Sequence, residues 1–175
     1  MIFAYADPPY LGCAAKLYGD HPDHAIYDTD AGHRQLIERL TDEYPDGWAL
    51  SLHTPSLRVL LPMCPDDARV AAWVKPFASF KPNVHPAYAW EPVIYRGGRK
   101  RTRRDLTPRD FHSENITLRK GLAGAKPPGF ALWILDLLNV RADMCDTIHD
   151  LFPGTGAMLS AWSDPLAALR TARGA

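Results

Sequence analysis

Cysteine is scarce in this 175-residue chain: Cys13, Cys64 and Cys145 are the whole supply, and none falls in CxxC or CxxH spacing. An odd, scattered set excludes a disulfide framework and a thiolate zinc site, and predicts reduced thiols in an intracellular protein. Net charge is lacking as well, because 20 basic residues balance 20 acidic ones. A whole-molecule field that draws in a polyanion is therefore excluded, and any such attraction must be local. No apolar run approaches a membrane span; the longest, within Phe130 to Val140, is interrupted by Asp136. Met1 to Ala6 is apolar but too short for a signal-peptide core, and Asp7 follows at once. Neither Ser51 nor Ser56 sits in a GxSxG context, which argues against hydrolase chemistry.

Proline, by contrast, is plentiful at 16 residues, predicting an irregular chain with long connections. The length suits one domain over 1–175, and 46% hydrophobic with 23% charged residues suits a globular core. Ile2 to Ala6 reads as a buried strand that ends where Pro8 and Pro9 forbid further pairing. Leu11 to Asp30 reads as a loop carrying Asp20-His21-Pro22-Asp23-His24, better suited to a lid than to a metal site. Thr29 or Asp30 can cap a helix to about Tyr44, with Leu36, Ile37 and Leu40 on its apolar stripe. Trp48 to His53 is a second strand. A helix is predicted from Asp66-Asp67 through Trp73, then a strand over Ala87 to Tyr95 with a break at Pro92. Pro127-Pro128 opens a helix from Gly129 to Asn139. Thr147 to Phe152 is a last strand, followed by a helix from Ala157 to about Trp162. Trp48, Trp73 and Trp133 read as core. Alternating strands and helices predict an α/β fold: a mostly parallel sheet with helices on both faces. Ligands of such sheets bind beyond the carboxyl ends of the strands.

Two segments at strand ends carry chemistry. Gly154 and Gly156 permit a tight turn and close approach of a ligand to backbone. No GK[ST] follows, so a phosphate loop for nucleotide hydrolysis is absent, and the third glycine of the dinucleotide fingerprint is missing. In Asp7-Pro8-Pro9-Tyr10, the prolines offer a rigid turn with carbonyl acceptors and no N–H donors. A carboxylate beside such carbonyls can accept both protons of an amino group, and the neighbouring ring can stack on the heterocycle that bears it. On its residues alone, the tetrapeptide serves equally as a plain proline turn.

The tetrapeptide resembles the catalytic DPPY motif of adenine-N6 and cytosine-N4 DNA methyltransferases. Asp150 to Gly156 resembles their FxGxG motif, and Lys126-Pro127-Pro128 resembles the KP segment that precedes it in permuted members. The order, catalytic motif first and cofactor motif last, is similar to that of the permuted beta group. Trp73 to Tyr95, with Trp90-Glu91-Pro92, resembles later segments of phage-encoded adenine methylases. The resemblance implies a Rossmann-like methyltransferase fold, circularly permuted and reduced at the C-terminus, where family members usually continue into a strand that holds the cofactor ribose. It implies S-adenosylmethionine as cofactor, held by Asp7, Lys126, Pro127, Asp150, Phe152, Gly154 and Gly156, with no metal. Asp7, Pro8, Pro9 and Tyr10 would carry catalysis on the exocyclic amine of a flipped DNA base, adenine N6 ahead of cytosine N4. The expected setting is the cytoplasm of a bacterial host or a phage-infected cell. A sheet reduced in this way would expose an edge that a second copy could cover.

Arg96, Arg99, Lys100, Arg101, Arg103 and Arg104 form the one basic cluster, threaded by Gly97 and Gly98. The run falls where permuted methyltransferases place target recognition, over about 96–125, so contact with DNA phosphates is the expectation. Two alternatives stay open: an amine on RNA or protein as acceptor, or a non-catalytic DNA-binding or assembly subunit derived from a methyltransferase.

Overall fold

Period-two burial builds the centre of the molecule. In the computed structural model, residues 1–13, 22–77, 83–116, 125–154 and 156–165 are described. The sheet consists of β1 (Ile2–Ala6), β2 (Gly47–Ser51), β3 (Arg69–Val74), β4 (Trp90–Gly97), β5 (Phe111–Ser113) and β6 (Thr147–Asp150), in the order β5-β3-β4-β2-β1-β6. The pairs β1–β2, β1–β6 and β3–β5 are parallel, and β4 runs against both of its neighbours. Five strands thus point one way and β4 alone opposes them.

Alternate side chains enter two separate cores, as pleating requires. Phe3, Tyr5, Ala49, Trp73, Val93 and Ile148 face α4 (Pro128–Leu137) and α5 (Ala157–Ser163), packing with Phe130, Ile134 and Met158. Ala4, Ala6, Trp48, Leu50 and Ile94 face the other way, onto Leu36, Ile37 and Leu40 of α2 (Asp30–Glu43) and Leu60 of α3 (Leu57–Leu60). Helices therefore cover both faces. Trp48, Trp73 and Trp133 are all core residues. Thr29 caps α2, its hydroxyl accepting the Gly32 N–H at 3.0 Å. A Cβ on Gly32 would lie 2.1 Å from the Ile26 carbonyl oxygen, so glycine is what lets α1 (Pro22–Tyr27) pack this closely.

Several sequence expectations change. The segment expected to be helical from Asp66 to Trp73 is strand β3. Ala71 and Trp73 point inward while Arg69 and Val70 are exposed, but apolar Val70 and Ala72 on the outward side hide the alternation. Pro92 does not break its strand. Its carbonyl accepts from Leu52 N–H at 3.3 Å, so the missing N–H faces the same side, just where the β2 ladder stops at Ser51. Strand β5 had no sequence signal, and α1 lies within the stretch expected to be loop. The motif Asp20-His21 lies outside the described residues, as does Thr155. No helix among the described residues is long and apolar enough to cross a membrane, and no group of three potential metal ligands occurs among them.

Candidate active site

The carboxyl ends of β1 and β6 lie side by side, with Tyr5 opposite Asp150. Asp7 and the glycine turn therefore leave the sheet as neighbours, at the rim where ligands of such folds bind. Pro8 and Pro9 are buried, which fixes the chain between Asp7 and Tyr10. The Tyr10 hydroxyl lies 3.2 Å from Asp7 Oδ1 and 3.0 Å from Glu91 Oε2, a donor shared between two carboxylates. Burial, then the charges of Asp7 and Glu91, push the Tyr10 phenol well above its ordinary value, so it stays protonated and donating.

Lys126 completes the cluster from just ahead of α4. Its ammonium lies 3.0 Å from each oxygen of the Asp7 carboxylate, donates to the Tyr10 hydroxyl at 2.9 Å and sits 3.5 Å from Glu91. It also lies 5.4, 5.5 and 5.8 Å from the ring centres of Tyr10, Trp73 and Phe130, with only 9% of the side chain exposed. Pro127 caps α4 and Pro128 begins it, so Lys126 is delivered from a short, stiff approach. Glu91 in turn holds the Lys75 ammonium. Burial raises the Glu91 carboxyl, but Lys126 and Lys75 outweigh it and hold the group below the usual carboxylate range. Asp7, Glu91 and Lys126 thus surround the hydroxyl of Tyr10, with Lys75 behind Glu91.

The far side of the Tyr10 ring is taken by His53, stacked at 5.5 Å and within 6° of parallel. Ser56 Oγ lies 2.7 Å from His53 Nδ1 and holds the imidazole in that plane. One side of Tyr10 is therefore backed by the protein.

Around the glycine turn, Asp150 accepts the Phe152 N–H at 3.2 Å, and the Phe152 ring packs edge-on against Tyr27 at 5.0 Å. Gly154 and Gly156 have φ of +45° and +74°, the left-handed region that glycine adopts without strain. A Cβ on Gly156 would meet nothing within 4 Å, and one on Gly154 only the Phe152 carbonyl at 3.7 Å. This bare, open backbone lets a ligand approach closely. Burial raises the Asp150 carboxyl to about 6, partly opposed by the Phe152 N–H and reinforced by Asp7. A carboxyl raised on folding favours the folded state while protonated, and that contribution is lost as pH rises through about 6. Asp150→Asn is accordingly expected to stabilise the ligand-free protein by about 1 kcal/mol near pH 7.5, after allowing for screening at this part-exposed group, and to give no gain near pH 4. Urea unfolding at both pH values measures this, and an equal effect at the two would refute it.

The basic cluster is not brought to this site. Because β4 is reversed, Glu91 near its start lies at the active-site rim, while Arg96 and Gly97 pair with Trp48 and Gly47, where β2 begins. The two rims are about 15 Å apart along strands of this length. Arg96 pairs with Asp67 at 2.7 Å, and Arg101 binds Asp136 at 3.1 Å and the Leu106 carbonyl at 2.6 Å. Arg99 closes on Asp146, whose side chain is 0% exposed and also holds the Met1 ammonium. Lys100, Arg103 and Arg104 remain exposed. Arg96, Arg99 and Arg101 of the basic cluster thus stitch the far rim together.

Glu91 and Lys75 were missed as site residues, since nothing in sequence spacing links them to Asp7. The reversed strand makes the link. Lys126, expected to hold cofactor, has its ammonium on Asp7 and Tyr10.

No family model matches the sequence, and no curated protein does. Among solved structures the chain is similar to the crystal structure of the M1.HpyAVI-SAM complex. The TM-score is 0.56 at 13% identity, over 98% of this chain and 86% of that one. A likeness this distant in sequence is one of fold: the chain adopts the Rossmann-like methyltransferase architecture.

Proposed function

We propose that this protein is an S-adenosylmethionine-dependent methyltransferase acting on the exocyclic amine of a DNA base, adenine N6 ahead of cytosine N4. The reading is carried by one juxtaposition, Asp7 and Tyr10 beyond β1 beside the open glycine turn beyond β6. The similar fold of a protein solved as its SAM complex supports it, as does the permuted motif order.

The glycine turn and Asp150 would hold the cofactor, which would supply an electrophilic methyl group. The chain's own task is to make a poor nucleophile competent, because an exocyclic amine delocalises its lone pair into the ring. Asp7 and the Pro8 carbonyl would accept the two N–H bonds and favour a pyramidal nitrogen with its lone pair available for attack. Asp7 is also the carboxylate placed to take the proton that the amine sheds. Tyr10, backed by His53, would stack on the flipped base. Orientation supplies much of the acceleration.

Nucleoside mass spectrometry of host DNA after expression tests the reading, with N6-methyladenine the expected product. Calorimetry with S-adenosylmethionine runs alongside. Unmodified DNA from cells making a protein that binds no cofactor would sink the proposal.

A further inference from the structure

The centre of the site already contains a nitrogen. Three rings and two carboxylates converge on the Lys126 ammonium, which hydrogen-bonds the Tyr10 hydroxyl and Asp7, one of the two acceptors assigned to an incoming amine. We propose that Asp7, Tyr10, Glu91, Trp73 and Phe130 form an alkylammonium-binding cage, and that its resident Lys126 competes with the base amine for Asp7. The inference rests on the methyltransferase reading and adds a ligand class to it.

The chemistry of the cage suits a cation better than a neutral amine. Aromatic faces attract positive charge through their quadrupoles, and a nearly dry setting strengthens that attraction. Two carboxylates face two ammonium groups, so the cluster is neutral only while Lys126 is in place. An aminopurine or aminopyrimidine brings N–H donors but no charge. It can take the oxygens of Asp7 only when the ammonium withdraws, and its net affinity is reduced by the strength of the contact it replaces. Lys126 reaches the cage on a flexible four-carbon stem, so withdrawal requires rotamer changes only. A charge-assisted hydrogen bond of this kind commonly contributes enough to alter an equilibrium by about tenfold or more.

The experiment uses Lys126→Met, which keeps the apolar stem and removes the ammonium, and Lys126→Ala, which empties the cage. In Lys126→Met the KM for unmodified genomic DNA should fall by about tenfold, while the calorimetric Kd for S-adenosylmethionine stays at the wild-type value. In Lys126→Ala, n-propylammonium chloride at millimolar concentration should raise the melting temperature and restore the wild-type KM; equal potassium chloride should do neither. The melting experiment needs no turnover and therefore reads the cage alone. An unchanged or higher KM in Lys126→Met, or no selective response to propylammonium, overturns the proposal. A weakened cofactor Kd in both variants also overturns it, because Lys126 would then be a cofactor ligand. Failure of the wild-type protein to bind cofactor would instead count against the methyltransferase reading itself, even where propylammonium still binds.

Discussion

Asp7→Asn is expected to lower methyl transfer by about 10²- to 10⁴-fold, with cofactor affinity within roughly threefold of wild type. The amide preserves the side chain's shape and one acceptor, so the turn through Pro8 and Pro9 should survive. It cannot accept two donors through a delocalised charge, and it cannot take the proton lost by the amine. Asparagine is also the milder substitution for folding. Lys126 has its closest counter-ion in Asp7, with Glu91 farther away at 3.5 Å, and alanine would leave a nearly buried ammonium poorly partnered. Single-turnover transfer with bound cofactor, read beside calorimetry and a melting curve, separates these effects. Parallel loss of transfer and cofactor binding would remove Asp7 from its role as amine acceptor.

The second large effect lies at the opposite rim. Asp146 has no exposed side-chain surface, yet it accepts from the Met1 ammonium at 3.0 Å, Arg99 Nε at 3.0 Å and the Arg141 backbone N–H at 2.9 Å. Asp146→Ala should cost about 1–3 kcal/mol, because it removes the shielded acceptor shared by the Met1 ammonium, Arg99 and the Arg141 N–H. For a domain of this size that corresponds to a fall in Tm of roughly 2–12 °C. Arg96→Ala, which breaks a pair with exposed Asp67, should leave Tm nearly unchanged. A thermal melt of both variants checks the contrast; similar small shifts would contradict the anchoring role of Asp146. The pH dependence has a definite sign. Burial opposes ionisation of Asp146, but Arg99, the amino terminus and the Arg141 N–H outweigh it and hold the carboxyl near 2. Its contribution is therefore full above the unfolded value near 4 and is lost as pH falls through about 2.

The sheet and the two terminal motifs were legible because their signals are local. A strand that ends in two prolines, a Thr-capped amphipathic helix and a glycine turn each fit within a dozen residues. Strand β3 was misread because Val70 and Ala72 make its solvent side as apolar as its core side. Strand β5 is three residues long and exists only through its pairing with β3. The site followed the same division. Asp7, Tyr10 and Asp150 were visible in their motifs, whereas Glu91, Lys75 and His53 join them only through strand direction. Strand direction also places the arginines: position along the chain says nothing about which end of β4 faces the site.

Reversal of β4 sorts the connections of this protein into two groups. The β3–β4 connection, over 75–89, and the chain between β5 and α4, over 114–127, both depart from the rim that carries Asp7 and Glu91. The β4–β5 connection, over 98–110, departs from the other. In a recombination experiment, exchanging either of the first two would alter the lysines that stand beside Asp7 and Glu91. Exchanging the third would alter the clamp on Asp146 and Asp136. Changes of preference and changes of durability are thereby assigned to separate stretches of chain, and one can be varied while the other is held.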